Sequence, residues 1–195
     1  MLKLGFFLQR NQFISNNCYF YLLQALAFHG LATFSVVTTI TFMYSKDEAS
    51  QLKQAFWTAF GQYISPHPSA DGLKINWVNY KTGIKQLHFR MHADGRAAFI
   101  AIEISNQDPG IQELIFEQFK EFKTILTEHL QETWNWELHL ADENGKTVSR
   151  IYKKLDGVSV FKKEDWPALI SFFKPRIIAL DEFWSDAKYS FDVFR

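Results

Sequence analysis

A chain whose only cysteine is Cys18 can form no internal disulfide, so nothing in it points to an oxidising compartment and a reducing cytosol is the default expectation. An excess of charge of one sign is missing too. The 21 Lys and Arg stand against 21 Asp and Glu, which excludes a global field holding the protein on nucleic acid or an anionic membrane and confines any such attraction to local patches. No Gly-rich phosphate loop, His-Glu-x-x-His helix or nucleophile elbow occurs. What the sequence has in quantity is rings: with 20 Phe and 6 Trp, the interior must be built largely by aromatic packing.

Charged residues are also missing from Cys18 to Met43, a stretch long enough for the roughly 20 residues of a membrane helix. Lys3 and Arg10 ahead of it and Ala25-Leu26-Ala27 within it suit a signal or an anchor. Against this, Gln24, His29, Gly30 and several threonines dilute the run, and cleavage after Ala27 would leave a second apolar stretch behind. The expectation is that Met43 is the true start, with 1–42 a doubtful extension, 43–195 a single α+β domain, and no membrane attachment on that reading.

Ser45-x-x-Glu48 has the form of a capping box, and Ala49, Leu52, Phe56, Ala59, Phe60 and Tyr63 follow at helical spacing until Ser65-Pro66-His67-Pro68. Lys74 to Tyr80 is β-prone. Ile84 to His92 alternates Leu87, Phe89 and Met91 with Gln86, His88, Arg90 and His92, and Asp94-Gly95 turns the chain into Arg96 to Ile104, where Ala98, Ile100, Ile102 and Ile104 share a face opposite Glu103. Asp108-Pro109 opens a helix carrying the stripe Ile111, Leu114, Ile115, Phe119, Phe122, Leu126 and Leu130 and ending near Glu132; its outer face is acidic. A second hairpin alternates Trp134, Trp136, Leu138 and Leu140, turns at Asn144-Gly145 and returns over Thr147 to Lys153. Asp165-Trp166-Pro167 starts a last helical region that Pro175 is expected to kink or break. The order helix, hairpin, helix, hairpin, helix predicts a two-layer α+β fold: one antiparallel sheet of two hairpins with helices on one face.

The segments Glu48 to Tyr63, Asn76 to Ile84, Ser149-Arg150-Ile151 and Glu164 to Pro167 resemble a bacterial and archaeal family, domain of unknown function 4268. The resemblance covers roughly residues 43–190. It implies a companion to DNA-processing proteins, because relatives carry this domain behind a restriction-endonuclease-like nuclease domain, and it brings no catalytic residues to carry over.

Nuclease chemistry of that class needs an Asp and a Glu-x-Lys that hold a divalent metal and polarise water. Glu103-Ile104-Ser105 lacks the lysine, and Asp94 reads as a turn former. His88 and His92 are about 13 Å apart along a strand with the cation Arg90 between them, too far for one ion unless Glu137 and His139 align with them. No catalytic residue, metal or cofactor is therefore assigned. The charges do cluster: Lys74, Lys81, Lys85, Arg90 and Arg96 about the first hairpin, and Lys146, Arg150, Lys153, Lys154, Lys162 and Lys163 about the second. The expected interface is a basic sheet face formed by Lys85, His88, Arg90, His92, Arg150 and Lys153 with Trp77 and Tyr80 interleaved, contacting DNA or RNA. The bland alternative is a solvated face with Trp77 and Tyr80 in the core. Two other readings stand beside it: a module docking on a separate nuclease or defence protein, and a degenerate or undetected metal-dependent nuclease.

Overall fold

The computed structural model describes residues 45–142 and 144–195. The expectations for 1–42 lie outside the described residues. Among the described residues, no helix is long and apolar enough to cross a membrane.

Helix α1, Lys46–Ile64, starts as its capping box requires: Ser45 Oγ accepts from the Glu48 amide at 3.2 Å, and Glu48 Oε2 accepts from the Ser45 amide at 2.9 Å. Phe56, Phe60 and Ile64 point inward, whereas Tyr63, expected in that stripe, is exposed. The segment Lys74 to Tyr80 is not a strand. It belongs to a long connection, residues 65–86, in which β-prone side chains are inserted one by one into the core. Trp77 Nε1 donates to the His67 carbonyl at 2.9 Å, Tyr80 donates its hydroxyl to Asp181 at 2.7 Å, and the Asn76 side chain accepts from the Asn79 amide. These local bonds offer the backbone partners that a ladder would otherwise supply.

Four antiparallel strands follow: β1 Leu87–Ala93, β2 Ala97–Ile104, β3 Asn135–Ala141 and β4 Thr147–Asp156, in the order β1-β2-β4-β3. The Asp94 side chain accepts from the amides of Arg96 and Ala97, and Asp142 does the same for Asn144 and Lys146, so each acidic residue is the turn former of its hairpin. At the second turn, Gly145 has φ +75°, the left-handed conformation a hairpin turn demands. Gly95 serves differently: a Cβ there would come within 3.3 Å of the Phe161 ring. Between Glu137 and Leu140 the β3–β4 register shifts, with His139 at φ +53°. The bulge ends the expected alternation, which is why Leu138 is partly exposed.

Helices α2, Pro109–Glu121, and α3, Lys123–Leu130, replace the single expected helix; the chain breaks at Phe122 (φ −92°, ψ 7°). Asp108 caps α2 by accepting from the Gly110 amide at 2.8 Å. Leu114, expected to be inward, is exposed. Helix α4 runs unbroken through Trp166–Ala187 despite Pro175. Proline removes the amide that would reach the Ser171 carbonyl, and the helix continues without it; one residue on, Arg176 Nη1 donates to the Phe172 carbonyl at 2.8 Å. Its Nε and Nη2 form a fork onto Glu132, which also accepts from Trp134 Nε1. Asp165 does not cap α4 with its side chain; it accepts from the Ser159 amide.

The core lies on one side of the sheet. Ala98, Ile100, Ile102 and Ile104 of β2 are at most 1% exposed, and they join one apolar cluster with residues of all four helices. Rings fill it: Phe173 lies against Phe56, Trp57 and Phe60, and Phe119 packs with Phe183, Trp184 and Phe191. The fold is α+β, a four-stranded antiparallel sheet with helices packed on its inner face.

Candidate functional site

In an antiparallel pair, residues directly opposite share a face, so the register sorts the side chains. Opposite the core lie His88, Arg90 and His92 of β1, Phe99, Ala101 and Glu103 of β2, Arg150, Tyr152 and Lys154 of β4, and Asn135 and Glu137 of β3. Glu103 stands at the centre. It is only 4% exposed, and each of its carboxylate oxygens is occupied: Arg90 Nε donates to Oε1 at 2.6 Å, and Arg150 donates to Oε2 through Nε at 2.8 Å and Nη2 at 2.7 Å. The triad spans three neighbouring strands, and its net charge is one positive. Both oxygens that a metal would need are held by guanidiniums.

The two arginines differ in what remains to them. Arg150 is mostly buried, and its guanidinium carbon lies 5.0 Å from the centre of the Phe99 ring. Arg90 has half of its side chain in solvent and gives only Nε to Glu103, leaving its terminal nitrogens available. His92 stacks on Phe99 at 5.0 Å and lies 4.0 Å from Asp94. Partial burial, followed by the charge of Arg90, lowers the proton affinity of His88; Glu103 opposes this, while Lys81 and Lys146 add to it. Arg90, Lys81 and Lys146 thus bring positive charge to the surroundings of His88, and its ring holds a proton less readily than a free histidine. At the far edge, Tyr152 donates its hydroxyl to Glu137 Oε1 at 2.6 Å, and this bond is the main reason its own proton is held more tightly than usual.

The expected site residues do not all meet. Arg90, Arg150, His88 and His92 share the open face. Lys85 is exposed in the turn ahead of β1. Lys153 belongs to the opposite side: it pairs with Ile100, whose side chain is in the core, and its Nζ donates to the Thr133 carbonyl at 3.1 Å near Glu132. Trp77, 2% exposed, and Tyr80, stacked on Phe89, are core residues and cannot interleave with the cations. Sequence reasoning missed Phe99, Tyr152 and the clamping role of Glu103. Strand alternation placed Glu103 correctly opposite the isoleucines, but only the β2–β4 register brings Arg150 to it. Glu137 aligns with Arg150, while His139, turned by the bulge, has Nε2 3.1 Å from the Pro109 carbonyl. Among the described residues, no group of three or more His, Cys, Asp or Glu is placed to hold a metal ion.

Fold and face together define a small α+β domain that buries one side of its sheet under helices and presents a charged, ring-bearing side on the other. The chain belongs to the family described as Domain of unknown function (DUF4268), whose profile matches residues 52–188. No curated protein and no solved structure matches it.

Proposed function

We propose that this domain is a non-catalytic companion of nucleic-acid-processing systems and contacts DNA or RNA through the open sheet face. The observation that carries the reading is the Arg90–Glu103–Arg150 triad. A buried carboxylate that grips two guanidiniums fixes their planes before any ligand arrives, so less side-chain entropy is lost on binding than for free surface lysines. Arg90, with its terminal nitrogens in solvent, is the primary contact; the positive surroundings of His88 extend the patch toward Lys81 and Lys146. Lys85 stands at the same end of β1. The companion role rests on the family resemblance, and the docking of a separate nuclease or defence protein remains the competing account of the same face.

The test is binding of fluorescently labelled DNA and RNA at low salt, where electrostatics are least screened. Arg90→Ala, with Lys85→Ala added, should weaken binding while lowering the melting temperature far less than Glu103→Ala does. Absence of any binding to DNA or RNA would leave protein docking as the better account.

A further inference from the structure

We infer that the open face engages phosphates alone and leaves the bases unread, so that its ligand is a nucleic-acid backbone irrespective of sequence or strandedness; this rests on the reading above. Base recognition on a sheet requires rings with a bare face for stacking, or amides and carboxylates free to pair with base edges. The face has few of either. Phe99 is occupied from β1 by the His92 ring, nearly parallel at 21°, and from β4 by the Arg150 guanidinium. Trp77 and Tyr80, the other ring candidates, are in the core. Among the described residues, Asn135 is the only side-chain amide on this face, and it stands directly opposite Tyr152, whose hydroxyl is bound to Glu137. Both oxygens of Glu103 are taken by the arginines. Apart from the second oxygen of Glu137 and the His88 ring, what remains free is cationic: the terminal nitrogens of Arg90, the last amino group of Arg150, and the lysines near His88. A group of planar, carboxylate-held guanidiniums matches phosphate oxygens.

Among the described residues, Tyr152 and His88 carry the rings of this face that stack on no other ring, and the larger, Tyr152, makes the idea falsifiable. The full chain is titrated with single-stranded oligo(dA), oligo(dT) and oligo(dC) and with a mixed-sequence duplex, carrying equal numbers of phosphates, over a series of salt concentrations. The homopolymers should agree within about threefold, inorganic polyphosphate should displace them, and Tyr152→Ala should change affinity by less than about twofold, since no stacking is lost. Arg90→Ala should lower the salt slope by about 0.7 to 0.9 log units, the loss of one phosphate contact. A tenfold preference for one homopolymer, or a Tyr152→Ala loss as large as that of Arg90→Ala, would overturn the phosphate-only reading while leaving nucleic-acid binding intact. Failure to bind any of these ligands would overturn both.

Discussion

Removing the Glu103 side chain would leave Arg90 and Arg150 on either side of β2 without the carboxylate that bonds both. Arg150 is the costly partner because it is largely desolvated, while Arg90 can turn into water. Glu103→Ala should therefore destabilise the domain by about 2 kcal/mol, the scale of losing charge-assisted bonds to a buried carboxylate, and Arg90→Ala by much less; urea midpoints at constant m-value distinguish them. His88 gives a pH dependence of definite sign. Its proton affinity is lower in the folded state than in the unfolded chain, so between the two values the unfolded state binds more protons. The contribution is fully present above about pH 6.5, the unperturbed histidine value, and is lost as pH falls through the folded value. Melting temperatures recorded downward from neutrality should decline more steeply for the natural protein than for His88→Gln. An equal slope in both would mean that the ring is as well solvated folded as unfolded.

Among the elements, the connection between α1 and β1 depends most on a few polar contacts. Asp181 of α4, 5% exposed, accepts from the Ala70 amide at 2.6 Å and from the Tyr80 hydroxyl at 2.7 Å, and Trp184 Nε1 donates to the Thr82 carbonyl at 3.0 Å. Burial, then the bond to Asp181, raises the proton affinity of Tyr80 far above the ordinary tyrosine value, so Tyr80 stays a phenol at any physiological pH. Tyr80→Phe keeps the ring on Phe89 and removes one bond. It should cost about 1.5–3 kcal/mol, the range for hydrogen bonds to charged groups, with hydrogen exchange accelerating first in residues 65–86; a uniform acceleration across the sheet would show that this connection opens only with the whole domain. Sequence made the helices, both hairpins and the apolar face of β2 legible, because periodicity and turn chemistry are local. It failed at Lys74 to Tyr80, where β-branched and aromatic residues anchor a loop through partners such as Asp181, distant in the chain. At Pro175 the helix does not break, because the burial of its apolar face, from Leu169 to Ala187, outweighs the one lost amide. The site was half legible for the reason that governs Lys74 to Tyr80: alternation put Arg90 and His88 outward, but Lys153 was assigned to the wrong face and Trp77 and Tyr80 to the wrong layer.

At the scale of the molecule, a balance of 21 positive and 21 negative side chains gives no long-range steering, so any polyanion must be captured at short range by the patch itself. The strand order carries a consequence of another kind. Each hairpin closes over a short turn and can form early, but the pairing of β2 with β4, from Ala97 opposite Asp156 to Ile104 opposite Ser149, joins segments separated by α2, α3 and β3. Closing that interval costs chain entropy before the interior begins to repay it. Docking of the two hairpins along their inner strands is then the late step of folding, and the transition state should already contain it. Ile102 and Ile151 face each other at this seam, both fully buried. Conservative truncation of either to valine should slow folding more than it speeds unfolding, whereas truncations in α1, whose rings pack on Trp166 and Phe173 of α4, should act mainly on the unfolding limb of a chevron plot.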